Sequence, residues 1–272
     1  MTDKTLDCPA CGMHASAVDD RDFPHCNKCG HRWMPTTLQE QSEVEQSVYG
    51  HSYAGYREDP VLDNNFDRLI AEHIQPTVQS GDRVLDVGCG AGAFLRAAQR
   101  ASMDAQGLEV SDDAAAICRD AGCKAEAGDF LQYGQPDSFA VITMWDVLEH
   151  LRDPLAFVQR VRLLLGRDGI YVSKTPTFGA LSVRLSDRME RLRGPLLGAP
   201  GHVQYFTPSS LATLLKRGGF DLQKSIPMPG GMRSRPSEGS LKRKFGRKAR
   251  GLIGSVSGDS NMLYVASPTI AK

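Results

Sequence analysis

The stretch RVLDVGCGAGAFLRAA, residues 83–98, constrains this chain more than any other. Val84, Leu85 and Val87 predict a buried strand, Gly88, Gly90 and Gly92 a turn, and Ala93 to Arg100 a helix. Strand, glycine turn and helix form the ligand-binding unit of a doubly wound sheet, in which the turn backbone approaches the ligand closely. Asp86 stands on the strand just before the turn. A pyrophosphate seeks helix-terminal N–H groups without a carboxylate beside them. A GxGxG turn preceded by an acid therefore suits a ligand with cationic groups better than a dinucleotide.

Two further acids follow at strand ends. DAQGLEV ends its strand at Glu109, beside Val110, and Ser111-Asp112-Asp113 cap the next helix. AEAGDF supplies Asp129 and Phe130. A carboxylate at the end of the second strand accepts ribose hydroxyls in doubly wound folds. In this order and spacing, VLDVGCGAG, GLEV and GDF closely resemble the cofactor motifs of class I SAM-dependent methyltransferases. The resemblance implies an α/β fold, a Rossmann-like doubly wound seven-stranded sheet, and S-adenosyl-L-methionine as cofactor. It implies that Asp86, Gly88, Gly90 and Gly92 form the cofactor turn, that Glu109 meets the ribose with Val110 among the cofactor-binding residues, and that Asp129 and Phe130 lie at the adenine. Taken singly, Asp86 also fits a role in ordering the turn, Phe130 a place in the core, and Cys89 a small filler.

SFAVITMWDVLEH predicts a fourth strand over Phe139 to Thr143, with MWDVLEH at its carboxyl end, where ligands of open α/β sheets bind. Met144 and Trp145 are expected to line the cofactor. Asp146, Glu149 and His150 place two carboxylates and an imidazole within five positions. Three readings stay open. His150 is a general base titrating near neutrality; or the three residues hold a divalent ion, Mg²⁺ or Zn²⁺; or they bond loop backbone. The stretch resembles the DxLEH segment of a small-molecule subgroup that includes ubiquinone-biosynthesis O-methyltransferases. Some members of that subgroup use acidic-x-x-Glu-His as a divalent metal site.

Further on, DPLAFVQRVRLLLGRDG predicts a helix capped by Asp153, begun by Pro154 and ending at Gly166 or Gly169, and GIYVSKTP a fifth strand. An insert follows, over residues 176–206, expected as a substrate lid; its Arg184, Arg188, Arg191 and Arg193 read as a solvated face or an anion site. GHVQYFTPSS carries His202, a second candidate base, and Thr207-Pro208, a helix start. FDLQKSIPM and NMLYVASP are the last strands, and between them the segment 233–250 is strongly basic around Phe245.

The first forty residues carry four of the seven cysteines, as Cys8-Pro-Ala-Cys11 and Cys26-Asn-Lys-Cys29. Paired CxxC knuckles suit one tetrahedral zinc, with no open position for catalysis. Gly12 and Gly30 each follow a second cysteine, where a knuckle needs a positive φ. The segment resembles a zinc ribbon. It holds too little core to fold without the folding energy that metal binding supplies. Its Arg21, Lys28 and Arg32 stand against Asp19, Asp20 and Asp22, so no strong basic face emerges. Residues 41–80 read as a linker and N-terminal helices, with Tyr49, Tyr53 and Tyr56 packing the ribbon or covering a ligand, and 81–272 as the methyltransferase domain.

Charge is balanced at 32 basic and 32 acidic residues, so nothing overall demands a nucleic acid or an anionic membrane. No apolar h-region opens the chain and no apolar run is long enough to span a bilayer. A cytoplasmic protein with reduced thiols is expected. The expected activity is O-methylation of a hydroxyl on a small molecule or glycan. One rival is a ribosomal RNA methyltransferase using the ribbon and segment 233–250; another is a SAM-binding protein without catalysis. The sequence leaves the oligomeric state open.

Overall fold

The computed structural model describes residues 7–14, 24–34, 60–179, 201–228 and 260–269. The tyrosines at 49, 53 and 56, the insert arginines and the basic segment 233–250 lie outside the described residues. The elements in chain order are β1 (Arg32–Trp33), α1 (Pro60–His73), β2 (Arg83–Val87), α2 (Ala93–Arg100), β3 (Asp104–Glu109), α3 (Asp112–Asp120), β4 (Lys124–Ala127), β5 (Phe139–Trp145), α4 (Pro154–Leu164), β6 (Leu165–Thr177), β7 (Gln204–Tyr205), α5 (Pro208–Arg217), β8 (Phe220–Met228) and β9 (Ser260–Pro268).

Seven strands form one sheet in the order β4-β3-β2-β5-β6-β9-β8. The pairs among β4, β3, β2, β5 and β6 are parallel, and β9 runs antiparallel to both β6 and β8. The expected seven-stranded α/β sheet is present. Chain direction across the sheet reverses at β2, which pairs β3 on one side and β5 on the other. Crossovers therefore leave a crevice beyond the carboxyl ends of β2, β3 and β5, the place where such sheets bind ligands.

The period-2 alternation of the strands divides the core between two faces. Val84, Val141 and Val172 pack with Phe66 and Ile70 of α1, Phe94 and Leu95 of α2, and Cys118 of α3. Leu85, Ile142 and Tyr171 face the other way, onto Val158 and Val161 of α4 and Leu211 and Leu214 of α5. Each such side chain, fully buried, contributes about 1.5–3 kcal/mol. Local sequence sets the helix starts. The Ser111 hydroxyl accepts from Ala114 N, Asp153 accepts from Ala156 N at 3.0 Å, and Thr207 and Ser210 form a capping box with Pro208 at the first turn.

α4 ends at Leu164, short of the glycines. Leu165 is already extended and pairs Phe139, and the ladder resumes only at Ile170 opposite Val141, so residues 166–169 bulge out. A side chain at Gly169 would crowd the bulge, because an added Cβ would lie 3.0 Å from the Ala140 carbonyl oxygen.

The cysteine segment is not a separate body. β1 pairs antiparallel with β7, setting Arg32 opposite Tyr205 and Trp33 opposite Gln204. Cys8, Cys26, Cys29 and Trp33 belong to the same core as α4 and α5.

Candidate active site

Gly88, Gly90 and Gly92 all have positive φ, at 73°, 52° and 78°. An added Cβ on Gly88 would lie 2.7 Å from Val147 Cγ2, and one on Gly92 would lie 2.8 Å from Cys118 Sγ. The turn admits no side chains at either place. Glu109, only 4 % exposed, ends β3 against it. Its Oε1 accepts from Gly90 N at 2.6 Å and its Oε2 from Val110 N at 3.2 Å. Burial raises the Glu109 pKa, and these two N–H donors oppose the rise. Val110 itself is 73 % exposed, an apolar side chain left in the open beside the carboxylate.

Asp86 is sealed in beneath the turn and accepts from the Thr143 hydroxyl at 2.6 Å. Burial pushes its pKa well above the ordinary range, and the Glu109 charge adds to the rise. Two buried carboxyl groups beside a glycine turn offer a phosphate no cationic partner. They fit a ligand bearing cationic groups and ribose hydroxyls, which is the chemistry of S-adenosyl-L-methionine.

The remaining expected lining residues divide. Asp129 is exposed, and its Oδ1 caps the short turn after β4 by accepting from Leu131 N at 2.9 Å. Phe130 is core, 5.3 Å from the Phe157 ring. Met144 is fully buried, with the Tyr171 hydroxyl 3.1 Å from its sulfur, so its side chain does not line the crevice. Trp145 packs on Phe66 and Phe94, at 5.0 and 5.2 Å between centroids.

At the end of β5 the structure redraws the expected trio. Asp146 adopts φ 56°, and both its oxygens lie 2.5 Å from Lys174 Nζ. Lys174 is 5 % exposed. The β5–β6 ladder enforces this pairing, because Asp146 N donates to Lys174 O at 2.8 Å. Asp146 therefore serves as the counter-charge of a buried lysine and does not group with Glu149 and His150.

His202 groups with them instead. One oxygen of Glu149 and one nitrogen each of His150 and His202 lie within 4.8 Å of one another. The two imidazoles meet edge to face at 4.8 Å. His150 Nδ1 lies 2.8 Å from the Gly201 carbonyl oxygen, which only accepts, so Nδ1 carries the proton and Nε2 the lone pair. Burial lowers the His150 pKa against the pull of that bond. Burial, then the His150 neighbour, lowers that of His202 to about 4. Glu149 is 1 % exposed, and its Oε2 accepts from the Thr175 hydroxyl at 2.8 Å. Burial foremost, then the Asp146 charge, raises its pKa well above the ordinary range. Glu149 Oε1 and His202 Nδ1 have no hydrogen-bond partner among the described residues.

Lys174 and Thr175 also matter here. Both stand in the apolar run GIYVSKTP, where a lysine signals a buried charge partner.

The four N-terminal cysteines come together, their sulfurs within 4.8 Å of one another. Each knuckle repeats one hydrogen-bond pattern: Gly12 N donates to Cys8 O and Gly30 N to Cys26 O, both at 2.8 Å, with φ 73° at each glycine. The Cys8 thiol, hydrogen-bonded to Cys29, lowers the Cys29 pKa to about 5, while the Cys8 pKa rises. Four thiols in this arrangement fit a closed tetrahedral zinc site. Arg32, counted with the basic residues of the segment, is 4 % exposed against β7 and adds nothing to a basic outer face.

Residues 54–225 match the model of a family described as a methyltransferase domain. A ubiquinone biosynthesis O-methyltransferase of Xanthomonas campestris pv. campestris (strain B100) is 28% identical over 155 residues, covering 53% of this chain and 64% of that protein. The enzyme of that name from Methylococcus capsulatus (strain ATCC 33009 / NCIMB 11132 / Bath) is 29% identical over 156 residues, covering 54% of this chain and 66% of that one. The chain thus spans just under two thirds of the length of these relatives. Phosphoethanolamine N-methyltransferase 2 of Haemonchus contortus, solved with S-adenosyl-L-methionine, shares the fold with a TM-score of 0.58 at 16% identity, over 88% of this chain and 62% of that one. Among the described residues, no helix is long and apolar enough to cross a membrane.

Proposed function

The chain belongs to the methyltransferase-domain family, and from that premise we propose that it transfers the methyl group of S-adenosyl-L-methionine to a hydroxyl oxygen of a small molecule or glycan. When bound, the cofactor supplies an electrophilic methyl carbon on a sulfonium. In this reading the Glu109 carboxylate exchanges its backbone donors for the ribose hydroxyls. The backbone of the turn at Gly88, Gly90 and Gly92 would lie against the cofactor, with exposed Val110 beside Glu109 and exposed Asp129 at the adenine. Asp86, enclosed beneath the turn, acts through its hydrogen bond with Thr143. We assign residues 1–40 to a zinc ribbon, 41–80 to a linker with N-terminal helices and 81–272 to the catalytic domain with its insert at 176–206.

The observation that carries O-methylation is the neutral imidazole pair at the carboxyl end of β5. An aliphatic hydroxyl is a weak nucleophile, and a positioned base contributes about 10² to 10⁴ in rate. His150, with Nδ1–H bound to Gly201 O, presents Nε2 as that base. The His202 ring stands against it edge to face, 4.8 Å between centroids.

A second reading has its own support. Glu149 Oε1, buried without a partner among the described residues, joins His150 and His202 as three donors for a divalent ion. Two imidazoles and one carboxylate suit a transition ion such as Zn²⁺ better than Mg²⁺.

The test is methyl-labelled cofactor with the natively purified chain and a panel of phenols, sugar nucleotides and RNA. Label appearing on a hydroxyl compound supports the proposal. Label found in RNA alone, or on a nitrogen, would sink it.

A further inference from the structure

A continuous set of hydrogen bonds joins the cysteine module to the histidine pair. Val203 is held on both sides: its carbonyl accepts from Met34 N, and its N–H donates to the Glu149 carbonyl, both at 2.8 Å. Its neighbour His202 therefore sits between the strand β1 and the turn of Glu149 and His150. On the other flank, Gly201 O takes the His150 Nδ1–H at 2.8 Å. Gln204 completes the span. Its Oε1 lies 2.8 Å from His31 Nε2, and its Nε2 donates to Leu151 O at 2.9 Å. Gln204 is 2 % exposed and His31 is fully buried. The module side is fixed again where the Thr207 hydroxyl donates to Cys29 O at 2.9 Å.

A buried amide with partners on two elements holds both in one register, because losing either partner strands a polar group away from water. The edge of β1 is taken up by β7, so this edge of the module faces the catalytic domain and not an outside ligand. Reaction rates tolerate little displacement: about 1 Å costs on the order of 10²-fold.

We propose that the N-terminal cysteine module is a brace for the active-site histidines, with His31 and Gln204 as positioning residues that set the place of His202 and His150 through residues 201–204. The rate effect rests on the base reading given above; the positional effect does not.

The experiment compares Gln204→Leu, His31→Gln and Arg217→Ala with the unaltered chain, following zinc content, cofactor affinity, the imidazole NMR signals of His150 and His202, and kcat. Gln204→Leu should keep its zinc and bind cofactor within about twofold, while both ring signals move and kcat falls about ten- to a hundredfold. His31→Gln retains a donor towards Gln204 Oε1 and should leave the ring signals close to those of the unaltered chain. Arg217 donates to Pro9 O and Ala10 O, away from residues 201–204, so Arg217→Ala should leave the ring signals in place. Unmoved ring signals in a folded Gln204→Leu protein overturn the brace. If no acceptor is methylated yet the rings move, the brace stands and the proposed reaction falls. Should Gln204→Leu not fold, amide exchange on the unaltered chain decides: the Val203 N–H should open together with those of Cys26 and Trp33. Val203 exchanging ahead of them overturns the proposal.

Discussion

Gly90 and Glu109, nineteen residues apart, are joined by a 2.6 Å hydrogen bond from the glycine N–H to the carboxylate. The bond closes the glycine turn onto the end of β3 before any ligand arrives. Glu109→Ala should therefore lose cofactor affinity and loosen the turn together. The expected loss is about 1.5–3 kcal/mol of binding, from bonds to a charged acceptor. Calorimetry with S-adenosyl-L-methionine measures it, and Glu109→Gln should lie between the two. Affinity unchanged in Glu109→Ala would remove Glu109 from the ribose.

Asp146 and Lys174 make a separate claim about stability. Removing one partner of a buried pair strands the other charge, which costs about 3–5 kcal/mol when both are buried. The Asp146 side chain is 43% exposed, and solvent screening reduces that to about 1–3 kcal/mol. Asn tolerates the left-handed φ that Asp146 adopts. Asp146→Asn thus tests the charge alone, and its urea midpoint should fall. Adding Lys174→Met should recover much of the loss. Equal midpoints for Asp146→Asn and the unaltered protein would show that the pair adds nothing to stability.

Local chemistry made the cofactor end legible. Positive φ at Gly88, Gly90 and Gly92, the caps at Ser111, Asp153 and Thr207, and the CxxC knuckles are all set within a few residues of themselves. The β5 end was legible only in part, because its partners come from far away. Whether Asp146 turns towards Glu149 or towards Lys174 depends on the β5–β6 register, and 28 residues separate that pair. His202 reaches His150 because its neighbours Gly201 and Val203 bond the His150 ring and the Glu149 carbonyl, contacts no periodicity announces. The early end of α4 has the same origin: Leu165, with no exposed surface, is taken into the ladder opposite Phe139 before the glycines can act.

Elemental analysis of protein prepared without chelator should find zinc at the cysteine module. Its cysteines share a core with α4 and α5, so metal loss should reach beyond the module. Cys26→Ser is expected to lower Tm by several degrees while cofactor affinity changes little, since the Glu109 carboxylate is held by Gly90 and Val110 and not by the cysteine module. Absence of zinc, or a Tm indifferent to its removal, would contradict the assignment.

The depressed pKa of His202 makes folding acid-sensitive over a defined window. Folded, the imidazole takes a proton only near pH 4; unfolded, it does so near 6.5. Between these values the unfolded chain binds the extra proton, so stability falls as pH drops from 6.5 towards 4 and gains nothing further above 6.5. His202→Asn should flatten that slope in urea midpoints taken across the window. Buried Asp86 and Glu149 shift the other way and are present in both proteins. Parallel curves for the two proteins would mean that His202 is not held neutral.

The last expectation separates base from metal at the β5 end. If His150 takes the proton, His150→Ala should lower kcat by about two to four orders of magnitude and leave cofactor affinity alone. Because burial lowers its pKa, the acid limb of kcat/KM should lie below pH 6.5, with activity lost as pH falls through it. If Glu149, His150 and His202 hold an ion, Glu149→Gln and His202→Ala should fail alongside His150→Ala, and a chelator should abolish activity that Zn²⁺ restores. The chelator also threatens the cysteine module, so metal content is counted before and after, and the loss of a second equivalent is what matters. Asp146 divides the readings further: engaged with Lys174, it should act on base or ion only through its charge, which raises the pKa values of Glu149 and His150. A chelator-resistant enzyme whose His150→Ala form keeps its rate would leave both readings without support and reduce the cluster to a loop fastening through Gly201 and Thr175.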